Sequence, residues 1–252
     1  MKITWLLATV TAFASAAGAE SLAGLWNATV TVNGTQIPFK IEFAGDGADI
    51  KGWFFNGENR EYSTGGKFEN GSLVLNFDTY AAVLKATFKD GALDGEYSAR
   101  RGKPLPIHAT RAATETPSKV KAPDISGLWY LEGVNSSKKS ENAWQFFVRQ
   151  QGAEVSAAIL RVDGDTGALT GSYQDGKFVL SHFDGARPLL VVVTPQSDGT
   201  LTLEQSGQRS GGAITAFRQD VARAKASPSQ SMPASIRASK IPQNHSTLAF
   251  RT

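Results

Sequence analysis

Apolar and polar side chains alternate with a period of two over most of the chain between residues 24 and 218. In one such segment Phe39, Ile41 and Phe43 are separated by Lys40 and Glu42. A period of two with one apolar face is typical of a β-strand that buries one side. No window of useful length before residue 219 has the 3.6-residue period of a helix. The pattern therefore predicts an all-β protein.

The predicted strands are short, and Asn-Gly and Asp-Gly dipeptides separate most of them. These dipeptides accept the positive φ angles of tight hairpins, so consecutive strands are expected to pair antiparallel. Closing such strands into an up-and-down barrel would remove both exposed sheet edges. In the first half of the chain eight strands are predicted, near residues 25–32, 37–44, 48–56, 60–65, 67–77, 81–89, 92–99 and 105–111.

The second half of the chain repeats the pattern of the first. A Gly-Leu-Trp sequence at residues 24–26 begins a run that ends at Arg111, and the same tripeptide at residues 127–129 begins a run that ends at Arg218. The two runs have nearly equal lengths and match turn by turn. An internal repeat on this scale predicts two tandem eight-stranded antiparallel barrels of the same topology, produced by duplication.

These patterns also divide the chain. We expect the first barrel to span residues 20–112 and the second barrel residues 124–220. Residues 113–123, which include Pro117 and Pro123, are predicted to be a linker between them.

The two ends of the chain have a different character. Residues 1–19 combine a basic start, a short apolar stretch and a small-residue cleavage site, which is typical of a signal peptide. The protein is therefore expected to be exported, to a periplasm or outside the cell. Residues 221–252 are basic, rich in Ser, Pro and Ala and without a period that could pack, so they are predicted to be a disordered tail.

The position of the charge argues against a nucleic-acid partner. The sequence pI is about 9.1, but residues 219–252 carry five basic side chains against one acid, whereas residues 20–218 carry 20 basic and 22 acidic ones. No basic stripe with interleaved aromatic residues follows any predicted strand, so nucleic-acid binding is disfavoured. No segment approaches the ~20 apolar residues of a membrane span.

Composition also limits the chemistry. The chain has no cysteine, so thiol chemistry, thiolate-bound zinc and thiolate-bound iron–sulfur clusters are excluded. The three histidines, His108, His182 and His245, lie far apart in the predicted topology, which disfavours a metal site. No cofactor motif is present, because the Gly-rich stretches are hairpin turns that do not lead into a helix.

The Gly-Leu-Trp sequence on a first strand, with Arg on a last strand, resembles the calycin arrangement of lipocalins, avidins and fatty-acid-binding proteins. In that arrangement the Trp closes one end of the barrel and stacks on the Arg. The resemblance implies that Trp26 pairs with Arg111 and Trp129 with Arg218, as structural closures of two barrel ends. A guanidinium over an indole ring is a favourable cation–π contact.

An eight-stranded barrel either holds one small ligand or is filled by its own side chains. Both possibilities stay open on the sequence alone. Several bulky aromatic residues on predicted strands are candidates for lining a ligand cavity. They are Phe39, Phe43, Phe77, Trp144, Phe146 and Phe178. The corresponding function is a calycin-like protein that binds a small hydrophobic ligand.

A second resemblance covers nearly the whole chain after residue 19. The pair of predicted domains, the segment 125–129 and the segment 217–225 resemble the region that precedes the thioredoxin domain in exported TlpA/ResA-like thiol-disulfide oxidoreductases. The resemblance implies a non-catalytic accessory module, truncated before the redox domain, and not an enzyme. Its expected partner is a thioredoxin-like domain or another exported protein.

Overall fold

The structure is a computed structural model, and its described part is almost entirely β-sheet. The regular elements in that part are seventeen strands and two single-turn 3₁₀ helices, Gly47–Asp49 and Asp78–Tyr80. The prediction of an all-β protein is confirmed. The described residues are 21–113, 120–131, 143–161, 166–207 and 212–218.

Three predicted segments lie wholly or partly outside the described residues. They are the signal peptide at 1–19, residues 114–119 of the linker and the tail at 221–252. Among the described residues, no helix has the length and apolarity needed to cross a bilayer.

The first domain is one antiparallel sheet of nine strands. Its strands are β1 (Gly24–Val32), β2 (Thr35–Ala44), β3 (Lys51–Asn56), β4 (Asn59–Tyr62), β5 (Gly65–Glu69), β6 (Ser72–Phe77), β7 (Ala82–Lys89), β8 (Ala92–Ala99) and β9 (Leu105–Arg111). Their order across the sheet is β4-β3-β2-β1-β9-β8-β7-β6-β5. The sheet curls into a half-barrel, and strands β1 and β9 pair with each other at its centre.

The first domain departs in two respects from the predicted closed or nearly closed eight-stranded barrel. The segment predicted as one strand at residues 67–77 is two strands, because the chain reverses at Asn70 and Gly71, whose φ angles are 50° and 74°. The ring is also open, because β4 and β5 do not pair and form the two edges of the sheet. Between them the Ser63 N–H donates to the Gly52 carbonyl on β3 (2.8 Å), and the Thr64 N–H donates to the Asn76 carbonyl on β6 (2.8 Å). These two bonds attach the connection between β4 and β5 to β3 on one side and to β6 on the other.

The second domain is a closed antiparallel barrel of eight strands in sequence order, as predicted. Each strand pairs with its neighbours in the chain, and β10 pairs with β17 to complete the ring. The strands are β10 (Gly127–Leu131), β11 (Ala143–Gln151), β12 (Glu154–Arg161), β13 (Thr166–Gln174), β14 (Lys177–His182), β15 (Leu189–Pro195), β16 (Leu201–Gly207) and β17 (Ile214–Arg218).

The two domains are in direct contact. Strands β2 and β3 of the first domain pack against β13, β14, β15 and β16 of the second. The Ser181 hydroxyl donates to the Pro38 carbonyl (2.5 Å), and the Asn33 side-chain amide donates to the Gly207 carbonyl (3.1 Å). This domain junction positions the candidate site described below.

Candidate functional site

The predicted Trp–Arg pairs are in contact in both domains. Arg111 lies over the Trp26 ring, with its Cζ 4.9 Å from the ring centroid, and Arg218 lies over the Trp129 ring at 4.2 Å. The strand register explains both contacts, because Trp26 faces Arg111 across β1 and β9, and Trp129 faces Arg218 across β10 and β17.

Each Trp–Arg pair is bonded to the chain segment just before the Trp. The Trp26 indole N–H donates to the Leu22 carbonyl (2.8 Å), and the Trp129 indole N–H donates to the Ile125 carbonyl (2.9 Å). The Arg111 guanidinium donates to the Ser21 and Ala23 carbonyls, and that of Arg218 donates to the Ser126 and Asp124 carbonyls. Each pair therefore ties a first strand, a last strand and the preceding segment together.

We expect Arg218→Ala to lower the free energy of unfolding by about 1–3 kcal/mol, and Arg111→Ala to lower it by a similar or smaller amount. We expect the larger effect for Arg218→Ala because Arg218 is less exposed than Arg111 and its Cζ lies closer to the facing indole centroid. Denaturant unfolding followed by tryptophan fluorescence is the measurement. Arg149→Ala is the matched control, because Arg149 is exposed and lies 5.8 Å from the Phe147 centroid on an outer face. An equal loss in all three variants would contradict the expectation.

The predicted ligand-lining residues are packed within the domain cores. Phe43 and Phe77 are buried in the first domain, and Phe146 and Phe178 are buried in the second. Phe77 stacks on Phe54 with 4.6 Å between ring centroids. Phe39 is partly buried and packs against the first core. Trp144 lies on β11, but its side chain lies outside the described residues.

One residue of the first core belongs to the second domain. Phe183, in the connection between β14 and β15, is only 2% exposed and packs among the first domain's buried side chains. Its ring meets those of Phe39, Phe54 and Tyr97 edge-on, at centroid distances of 4.8, 5.2 and 5.4 Å. The segment Phe183–Asp184–Gly185 is called the inserted loop below.

The inserted loop lies at the opposite end of the first sheet from the Trp26–Arg111 pair. Strand β9 shows this, because its first residue, Leu105, faces Tyr97, and its last residue, Arg111, faces Trp26. One end of the first domain thus carries its own Trp–Arg pair, and the other end receives residues from the second domain.

A polar cluster surrounds the second residue of the inserted loop. Asp184 is 7% exposed, and its carboxylate accepts hydrogen bonds from the Asn56 side-chain amide (3.0 Å) and the Ala186 N–H (3.1 Å), with the Tyr80 side chain nearby. His182 Nε2 lies 3.6 Å from the same carboxylate, while His182 Nδ1 is 2.9 Å from the Ala168 carbonyl oxygen. The carboxylate is therefore held by groups from both domains.

Burial and the nearby carboxylate change the acidity of two tyrosines in this cluster. Burial, followed by the charges of Asp184 and Glu61 and the hydrogen bond to Asp184, raises the pKa of Tyr80 to about 12. Burial, with smaller contributions from Tyr80 and Asp184, raises the pKa of Tyr97 as well. The Tyr97 hydroxyl is buried and has no hydrogen-bond partner within the described part of the chain.

The raised pKa of Tyr80 predicts a loss of stability at high pH. Between the ordinary value of 10.0 and about 12 the folded protein keeps the phenol proton that the unfolded chain releases. The stabilising contribution is thus complete below pH 10 and disappears as the pH rises through 12. We expect denaturant midpoints measured from pH 9 to 11.5 to fall less steeply in Tyr80→Phe than in the parent protein. Tyr62→Phe is the control, because Tyr62 is 54% exposed, and an equal change in both variants would contradict the expectation.

A second feature is an exposed face of aromatic and basic side chains on β3 and β4. The Arg60 guanidinium lies 5.5 Å from the Trp53 centroid and 5.7 Å from the Phe55 centroid, and 3.9 Å from the Glu42 carboxylate. Tyr62 faces Trp53 across the strand pair, with 5.4 Å between ring centroids. This face is called the Trp53–Tyr62 face below.

The remaining polar groups do not form a metal centre in the part of the chain that the structure describes. His108 pairs with Asp94 at 2.7 Å on an exposed surface, and His182 belongs to the polar cluster around Asp184. No group of three or more potential metal ligands occurs among the described residues. His245 lies outside them.

Comparison with known proteins finds only distant structural similarity. No protein-family model matches the chain, and no curated protein sequence matches it. Among solved structures, Aeromonas veronii immune modulator A aligns over 79% of this chain and 94% of its own, with 12% identity and a TM-score of 0.27. A protein of unknown function of the DUF3598 family from Nostoc punctiforme aligns over 78% of this chain and 96% of its own, with 12% identity and a TM-score of 0.24.

The contacts of the inserted loop were not predicted from the sequence. Asp184-Gly185 was predicted as an ordinary hairpin turn, since Asp-Gly is a frequent turn dipeptide. Phe183 gave the only local signal, because it places a large apolar side chain beside that turn. Its contacts with Phe39 and Phe54 join residues more than a hundred positions apart, as the Asn56–Asp184 hydrogen bond also does.

Proposed function

We propose that the protein is an exported, non-catalytic accessory module that docks a partner protein through its outer surface. The observation that carries this proposal is the packing of the two domain interiors. Phe43, Phe77, Phe146 and Phe178, which a hydrophobic ligand would need to contact, are each buried among the protein's own side chains. This packing supports recognition by the surface over binding of a small hydrophobic ligand inside either domain.

The Trp53–Tyr62 face supplies a surface of the right chemistry. Trp, Tyr and Arg are the residues most enriched among those that dominate binding energy at protein interfaces. Tyr62 is an exposed aromatic residue, and the Arg60 guanidinium lies over the Trp53 and Phe55 rings at cation–π distance. We propose that a thioredoxin-like domain or another exported protein binds here, in keeping with the resemblance to the region that precedes the thioredoxin domain of TlpA/ResA-like proteins.

We also propose that the two domains derive from one duplicated unit with calycin-like ancestry. The supporting observation is that the two Trp–Arg pairs are built alike. Gly24 and Gly127 have φ angles of 113° and 111°, and a Cβ at either position would lie 3.8 or 3.0 Å from the Nη1 atom of the facing Arg. In both domains the indole N–H bonds to the carbonyl four residues earlier.

Site-specific photocrosslinking tests the docking proposal. A photoreactive phenylalanine analogue at position 62 is expected to trap one exported protein in the host cell. The same analogue at position 147 is the control, because Phe147 is 40% exposed on the second barrel. The trapped protein, once purified, is expected to bind the parent chain and to lose at least tenfold in affinity for Tyr62→Ala. Equal trapping at positions 62 and 147, or no trapping at either, would contradict the proposal.

A fluorescence titration tests the alternative, a small hydrophobic ligand. Saturable binding of 1-anilinonaphthalene-8-sulfonate or a fatty acid to the folded parent protein would favour a ligand-binding function. We expect no saturable binding, because each interior is filled.

A further inference from the structure

The aromatic rings that surround Phe183 belong to the first domain. The three rings around Phe183 come from β2, β3 and β8, at Phe39, Phe54 and Tyr97. Phe183 itself belongs to the second domain and packs into the first domain at the contact between the two. The first domain thus already has an aromatic binding site, and its occupant in this structure is a loop of the second domain.

The same site has a polar half that recognises a carboxylate. The Asn56 amide donates to Asp184 (3.0 Å), and the Tyr80 ring lies against the next loop residue, Gly185. Asn56 and Tyr80 both belong to the first domain. Charge-assisted hydrogen bonds of this kind are stronger than neutral ones. These residues of the first domain therefore match a ligand in which a carboxylate follows an aromatic ring.

The third position of the loop adds a steric requirement. Gly185 has a φ angle of 105°, and a Cβ there would lie 2.9 Å from two atoms of the Tyr80 ring and 2.9 Å from the Tyr97 hydroxyl oxygen. Any side chain at this position would collide with the site. The site therefore selects the sequence aromatic–acidic–glycine.

One donor of the site is not used by the inserted loop. The Tyr97 hydroxyl is buried, lies next to Gly185 and has no partner within the described residues. An unpaired buried hydroxyl costs stability, and phenylalanine would fill the same volume without that cost. A hydroxyl that the resident loop leaves unpaired points to a second ligand whose backbone or side chain accepts its hydrogen bond.

We propose that the end of the first sheet opposite the Trp26–Arg111 pair is a peptide-recognition site for an aromatic–acidic–glycine turn of a partner protein. The site is formed by Phe39, Phe54, Asn56, Tyr80 and Tyr97. The inserted loop is its resident occupant and the partner's turn takes its place. The inference rests on the proposed function only in taking the partner to be a protein, and it does not involve the Trp53–Tyr62 face.

Competition with the resident loop sets the conditions for binding. A tethered segment acts at an effective concentration of roughly millimolar, so a free peptide binds the parent protein weakly. The junction outside the site includes hydrogen bonds such as Ser181 to Pro38 and Asn33 to Gly207, which hold the loop in place. A chain with a disabled loop is therefore the correct receptor for a direct measurement.

The test uses full-length protein carrying Phe183→Ala and Asp184→Ala, and the peptide acetyl-Phe-Asp-Gly-amide. Calorimetry is expected to show saturable binding, at least tenfold tighter than binding of acetyl-Phe-Asn-Gly-amide or acetyl-Leu-Asp-Gly-amide. Adding Asn56→Ala to the receptor is expected to weaken binding by about tenfold. Asn59→Ala is the matched control, because Asn59 faces Asn56 across the β3–β4 hairpin and is exposed.

A second receptor keeps the test decisive if the double variant does not fold. Phe183→Leu retains part of the buried volume, and the Phe-Asp-Gly peptide is expected to raise its melting temperature while the Leu-Asp-Gly peptide does not. The proposal is overturned if no peptide binds either folded receptor, or if the three peptides bind equally. Because no partner protein is used, failure here leaves the crosslinking result at position 62 standing, and the reverse is also true.

Discussion

Phe183→Ala is expected to destabilise the first domain by about 3–5 kcal/mol, although Phe183 belongs to the second. Truncating a buried phenylalanine removes its transfer free energy and leaves a cavity. Here the cavity would open among Phe39, Phe54 and Tyr97, which all contact the Phe183 ring. The contact between domains would weaken at the same time.

Hydrogen exchange read by mass spectrometry can show where the effect occurs. In Phe183→Ala we expect faster exchange in peptides from β2, β3 and β8, at the end of the sheet away from Trp26. Phe178→Ala is the matched control, because Phe178 is also fully buried but lies in the core of the second barrel. The Phe178→Ala variant is expected to show faster exchange in the second barrel than in the first domain. Unchanged exchange in the first domain of Phe183→Ala would contradict the role assigned to this residue.

Gly185→Ala is expected to cost about 2–6 kcal/mol and to separate the inserted loop from its site. The estimate combines about 1–3 kcal/mol for a non-glycine residue at a positive φ angle with about 1–3 kcal/mol for forcing extra volume into a packed site. The new Cβ would lie 2.9 Å from the Tyr80 ring and the Tyr97 hydroxyl. The Tyr97 hydroxyl cannot yield easily, because it is buried.

Gly199→Ala separates the two contributions to the Gly185→Ala effect. Gly199 also has a positive φ angle, 81°, but a Cβ there would meet no atom within 4 Å. Its replacement should cost only the conformational strain, about 1–2 kcal/mol. Chemical denaturation of both variants gives the comparison. A loss in Gly185→Ala no greater than that in Gly199→Ala would mean that the loop does not fill the site tightly.

Local patterns in the sequence predicted most strands and turns correctly. At Asn33-Gly34 and Asp175-Gly176 both residues have positive φ angles, as the hairpin prediction required. The eight strands of the second barrel follow from the same alternation and turn chemistry. These predictions succeed because strand face and turn type depend on residues close together in the chain.

The errors fall where a distant contact decides the outcome. The Asn70-Gly71 turn was present in the sequence, yet the alternation around it continues into both β5 and β6 and suggested one strand. The preference for closed barrels then favoured closure of both domains. In the first domain closure does not occur, and Phe183 and Asp184 of the second domain occupy the end of the sheet near Tyr97 instead.

The sequence by itself determined the all-β class and the hairpin order of the strands, because each depends on a period or a turn dipeptide that is visible along the chain. The two Trp–Arg pairs were expected from the resemblance to the calycin arrangement. Only the tertiary structure decided that the first sheet stays open, that Phe183 completes its core and that Asn56 holds Asp184. These contacts join single residues across two domains, with no repeat or period to mark them. Their stability comes from burial and from hydrogen bonds in a shielded junction, which arise only once both domains have folded against each other.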